Sequence, residues 1–277
     1  MMSILTYQYI QNAIIASLLA SIISGIIGVI VVEKKLMMMS GGIAHTSYGG
    51  VGFGYLMGFE PLLGAFIISI IAAICLSFIK RRNLSQLDMI VGLFWSLGMG
   101  LGILFISLMP GYPPDMNSYL FGNILAITQG DLFLMAALTG VIVVSILAFF
   151  NYWKSYLFDE EFVSVLGIRI IFFDYLTFII IALAVVVMIR VVGIILIMAL
   201  FTAPTAIAEF MTRSLKTRML ASIILSIGLC FGGLILSYVL NIATGATIVI
   251  LSVMCYLIAY IIKTLYQKFK QNSNSNY

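Results

Sequence analysis

The sequence holds one histidine among 277 residues, three cysteines, five prolines and only 9% charged residues. Each scarcity excludes something. With 63% hydrophobic residues and a mean hydropathy of +1.19, the apolar surface is too large for one soluble core, and the solvent must be largely lipid. Cys75, Cys230 and Cys255 fall within apolar runs, at neither metal-ligand nor redox spacing, so they read as packing residues rather than a disulfide framework. No GxxxxGKS/T phosphate loop and no HExxH pair occurs. The chain is therefore expected to hydrolyse neither ATP by a P-loop nor peptides by zinc. The sole histidine, His45, lacks a GxSxG-like neighbourhood, which sets aside a Ser/His/Asp intramembrane hydrolase. A net charge of +4 is a weak basic bias and implies no nucleic acid. The first apolar run, near Tyr9, has no basic residue before it and no cleavage pattern after it, so no cleaved signal peptide is expected.

What is present is a series of long apolar runs that do not alternate residue by residue, such as "IIASLLASIISGIIGVIVV". That pattern excludes a membrane barrel and predicts an all-α, polytopic membrane protein. Spans are predicted at about 9–32, 42–58, 61–79, 89–109, 131–150, 173–189, 191–210, 219–240 and 245–262, which gives nine candidate helices. If every span crosses, thirteen of the fourteen lysines and arginines fall on one side and only Arg190 on the other. Cytoplasmic loops retain positive charge, so the N-terminus is placed outside and the C-terminus inside. Reading 42–58 as a re-entrant loop would put Lys80 to Arg82 outside, so this segment is expected to span.

The external connection "MPGYPPDMNSYLFGNILAITQGD" holds three of the five prolines and is expected to carry a short helix at Ser118 to Ile127, where a partner could dock. The longest internal connection, about 151–170, has an acidic cluster followed by an apolar-periodic segment ending at Gly167, which fits a short helix at the cytoplasmic face. A single membrane domain over 1–267 and a disordered polar tail over 268–277 complete the organisation.

The polar residues inside these spans are the candidates for function. His45 lies in "GGIAHTSYGG" with Thr46 and Ser47, and Gly41, Gly49 and Gly52 fall near its helical face. A titratable ring in a membrane span is costly and usually faces a partner or a watery path, and a neutral imidazole is a good transition-metal ligand. In "ALFTAPTAIAEF", Pro204 is expected to kink or open the helix between Thr202 and Thr205, whose hydroxyls can satisfy the freed groups or line a passage. Glu209, one turn on, is expected to face cytoplasmic water. Gly50, Gly54 and Gly58 form one small-residue ridge, and Gly92, Ser96 and Gly100 another, both with helix-packing spacing.

Taken in order, "GGIAHTSYGGVGFGYLMG", "IVGLFWSLGMGLGILFISLMPGY", "SYLFGNILAIT", "FDEEFVSVLGI", "VVGIILIMALFTAPTAIAEF" and "TGATIVI" resemble the membrane permeases of bacterial and archaeal ABC importers for zinc and manganese. The resemblance covers nearly the whole chain. It implies a homodimeric channel in a prokaryotic cytoplasmic membrane, a separate cytoplasmic ATPase and an extracellular metal-binding lipoprotein. The cargo would be a divalent transition metal, with no tightly bound cofactor and no enzymatic activity in this chain. It further implies that the segment holding Asp159, Glu160, Glu161, Leu166 and Gly167 couples to the ATPase, and that His45 touches the metal in passing. The family usually has aspartate four residues before this histidine and proline-glycine four after it, where this chain has Gly41 and Gly49-Gly50. Two alternatives stand beside this reading: a permease for siderophores, other metal chelates or cobalamin, and a stand-alone secondary transporter, for which broken helices are typical.

Overall fold

The structure, a computed structural model, describes residues 7–82, 86–111, 115–158 and 169–274. These residues form eleven α-helices: α1 (Gln8–Glu33), α2 (Met37–Met57), α3 (Pro61–Arg82), α4 (Leu87–Ser107), α5 (Asn117–Phe121), α6 (Gln129–Ala148), α7 (Phe150–Phe158), α8 (Ile170–Val191), α9 (Ile197–Met211), α10 (Leu215–Leu240) and α11 (Thr244–Asn274). Seven of them (α1, α3, α4, α6, α8, α10 and α11) are long and apolar enough to cross a membrane. The other two expected spans differ for separate reasons. α2 has 21 residues, but its Gly, Ser, Thr and His content dilutes its hydropathy. α9 has only 15 residues, about 22 Å of helix against a hydrocarbon core of about 30 Å.

α1 and α8 form the centre. Every residue from Ile23 to Val31 and from Ile180 to Ile189 is buried, as befits helices that are apolar on all sides. Small residues bring the backbones close: a β-carbon at Gly25 would fall 2.5 Å from the backbone nitrogen of Ile223 on α10.

The expected opening at Pro204 is not observed, because α9 stays helical through it. Proline removes the N–H that would serve the Leu200 carbonyl, and the Ser24 hydroxyl of α1 donates to that carbonyl at 2.7 Å instead. The chain breaks earlier, at Gly193, whose φ of 85° and ψ of 161° belong to a region essentially confined to glycine. A 3-10 turn, Ile194–Leu196, then leads into α9. At this break the connection between α4 and α6 and the start of α11 converge. A β-carbon at Gly122 would lie 2.5 Å from the Val192 carbonyl carbon, and one at Gly245 would lie 2.8 Å from its oxygen. Three of the quoted motifs thus meet backbone to backbone.

The short helix expected at 118–127 is present as α5 and a 3-10 turn, Ile124–Ala126. Asn12 of α1 ties this segment down by donating its side-chain amide to the Ile127 carbonyl at 2.9 Å. α6 opens on a reciprocal cap: Thr128 accepts from the Asp131 backbone at 3.2 Å, and Asp131 accepts from the Thr128 backbone at 3.0 Å. α11 continues as helix to Asn274, into the stretch expected to be disordered.

At the opposite end the basic residues gather as the charge pattern predicts. Arg218 of α10 pairs with Glu33 of α1. The neighbouring Lys34 lies 3.7 Å over the ring of Tyr156 on α7, and the Tyr156 hydroxyl donates to Asp174 of α8 at 2.6 Å. Asp174 also faces Lys80 at 3.9 Å and Arg81 at 3.4 Å, both on α3. A chain of polar contacts therefore ties α10, α1, α7, α8 and α3 together.

Candidate translocation site

α2 packs most extensively between α3 and α4, and glycines set its depth. A β-carbon at Gly50 would fall 2.6 Å from the Gly64 carbonyl carbon on α3. One at Gly98 of α4 would fall 2.8 Å from the His45 carbonyl oxygen. This close approach fixes the backbone around His45 on two sides. Gly54 continues the α3 contact, 2.8 Å from Pro61 by the same measure. Gly58 departs from the expected ridge: it caps α2 at a φ of 73°, and a β-carbon added there would meet nothing within 4 Å among the described residues.

His45 is 3% exposed. Its ring lies flat against the Trp95 indole of α4, with centroids 3.7 Å apart and planes 13° from parallel. Stacking occupies the ring's face and leaves its nitrogens at the edge. Nδ1 is buried and, among the described residues, has no hydrogen-bond partner. An unsatisfied buried polar atom costs about 1–3 kcal/mol. On the side of α2 next to α9, Met198 fills the space above Gly41, where an added β-carbon would lie 3.2 Å from its methyl and nearer still to its sulfur.

The remaining polar candidates divide between packing and the open side of α9. The Thr46 hydroxyl donates to the Gly42 carbonyl at 2.7 Å and reaches the Phe94 carbonyl of α4 at 3.1 Å, so it pins α2 to α4. Ser47 is buried and bonded back to Ala44 at 2.5 Å. Thr205 is buried against Ser222 of α10 at 3.0 Å, and Pro204 is buried. Thr202 is half-buried, with its hydroxyl on the Met198 carbonyl at 2.8 Å. The hydroxyls flanking Pro204 thus bond elsewhere, and Ser24 satisfies the freed carbonyl. Gly92, Ser96 and Gly100 lie exposed along α4, where a β-carbon added at either glycine would meet nothing within 4 Å among the described residues. Glu209 is exposed, and the three cysteines are free. Asp159, Glu160, Glu161, Leu166 and Gly167 lie outside the described residues.

Trp95 and Met198 are the site residues that the sequence reading passed over. Trp95 is one of two tryptophans, set among small residues in a span read as packing, and that setting was the available signal. Nothing local marks Met198 among sixteen methionines. Among the described residues no group of three His, Cys, Asp or Glu side chains comes together, so the donors here suit brief contact rather than a closed cage.

An all-helical bundle whose described residues include seven helices long and apolar enough to cross a membrane, with a short helix entered through the break at Gly193 and a polar residue buried at a glycine-lined junction, is that of a multi-pass membrane protein. The chain belongs to the ABC 3 transport family, whose pattern matches residues 6–263. It is 38% identical over 260 residues to the membrane protein slr2045 of Synechocystis sp., covering 94% of this chain and 92% of that one. It is 30% identical to the manganese import system permease protein ScaB of Streptococcus gordonii, with 92% of each chain covered. Among solved structures, PsaBC from Streptococcus pneumoniae in complex with Fab superposes with a TM-score of 0.86 at 29% identity, covering 96% of both chains.

Proposed function

We propose that this permease imports a divalent transition-metal ion of the zinc or manganese class and that His45 is a way-point on its path. The observation that carries this reading is the buried Nδ1 of His45, held at a glycine-lined junction without a partner among the described residues. A passing cation supplies the missing partner, and a transporter needs a contact it can release. The manganese transport named for ScaB, and for the Listeria monocytogenes relative MntC, supports the same cargo class.

ATP hydrolysis resides on a separate cytoplasmic subunit, and an extracellular metal-binding lipoprotein delivers the ion. The segment from Asp159 to Gly167 docks into the ATPase. In support, its flanking helices α7 and α8 are tied by Tyr156 and Asp174 to the ends of α1 and α3, so a push on the segment reaches the bundle. A second copy of the chain completes the channel, and the open small-residue face of α4 suits close helix contact. The test is reconstitution. Vesicles holding the purified chain alone should neither hydrolyse ATP nor accumulate zinc or manganese, and adding the ATPase subunit and the metal-loaded lipoprotein should start ATP-driven uptake. Uptake of metal by the chain alone would overturn this reading in favour of a secondary transporter.

A further inference from the structure

We infer that Met198 completes a nitrogen–sulfur way-point with His45, one that passes a zinc-class ion in preference to manganese. This rests on the reading of His45 as a way-point. Positions 41 and 45 are one helical turn apart and share nearly one face of α2. Gly41 contributes no side chain to that face. The space its side chain would take is filled by the sulfur of Met198, which reaches across from α9. The buried imidazole nitrogen, which has no partner among the described residues, and the thioether seated over Gly41 therefore belong to positions one helical turn apart on nearly the same face of α2.

Two features fit Met198 for contact with cargo. It lies in the first turn of α9, directly after the break at Gly193 and its 3-10 turn, and it is half-buried rather than sealed in the core. The thioether is a soft donor and the imidazole a borderline one, a set that suits zinc, whereas manganese favours carboxylate, carbonyl and water. The positive end of the α9 dipole opposes a resident cation, which keeps the contact weak and the ion moving.

A methionine over a glycine also fills space, and a sulfur-free side chain of similar volume separates the two roles. Cells lacking other zinc and manganese importers would express the full chain with its partner subunits, and uptake of radioactive zinc and manganese would be measured separately. Met198→Leu should lower zinc uptake roughly tenfold, the effect of losing one modest ligand, and manganese uptake by a much smaller factor, while thermal unfolding in detergent stays at the wild-type level. If the leucine variant expresses poorly, Met198→Gln supplies oxygen in place of sulfur and should shift uptake further toward manganese. Equal loss of both ions, or of neither, would overturn the sulfur role. His45→Asn in the same assay separates the two readings. If it abolishes uptake of both ions while Met198→Leu changes nothing, the way-point stands without its sulfur. If His45→Asn is also neutral, both readings fall.

Discussion

Tyr156 donates its hydroxyl to Asp174 across 2.6 Å, joining the helix before the 159–168 segment to the helix after it. Asp174 faces Lys80 and Arg81 as well, so one carboxylate holds α3, α7 and α8 in register at the charged end of the bundle. A hydrogen bond to a charged acceptor is worth about 1.5–3 kcal/mol. Tyr156→Phe should lower stability in detergent by about that amount, read from thermal unfolding. It should also reduce metal transported per ATP hydrolysed, because the segment's two flanks would no longer move as one. An unchanged transport ratio would show that the contact is structural only.

Ser24 and Pro204 make opposite demands on one carbonyl, that of Leu200. Ser24→Ala leaves that oxygen buried and unsatisfied, at a cost of about 1–3 kcal/mol. Pro204→Ala supplies the missing N–H from within α9, so in that background Ser24→Ala should cost much less. A double-mutant cycle on unfolding in detergent checks this, and additive losses would contradict the assignment.

Gly41 and Met198 compete for the same volume, so Gly41→Asp should displace the thioether and place a carboxylate one turn from His45. Oxygen in place of sulfur favours manganese. Competition uptake with both ions should therefore shift toward manganese in Gly41→Asp. The shift should vanish when His45 is also replaced.

The crossing helices are legible as apolar runs, and their orientation follows from the lysines and arginines that gather at one end. Even α2, with its diluted hydropathy, is placed by charge rather than by its own composition. The break near α9 is less legible. Proline is the usual sign of an opened helix, but here a serine 176 residues away satisfies the carbonyl, and no local pattern carries that information. Gly193, which does break the chain, looks in the sequence like any other small residue in a membrane span. His45 stands out because it is alone. Trp95 and Met198 become part of its site only through the way α2 packs against α4 and α9, contacts between helices that sequence spacing does not encode.

The most direct measurement is metal uptake by the His45→Asn variant in the presence of its partner subunits. Asparagine keeps a compact polar side chain that can hydrogen-bond, but it is a poor ligand for a transition metal. Uptake of the preferred ion should fall roughly 10–100-fold, the scale on which metal-site contacts act, while expression, assembly with the ATPase and thermal unfolding stay at wild-type levels. Wild-type uptake by His45→Asn would contradict the way-point and leave His45 as a packing residue against Trp95.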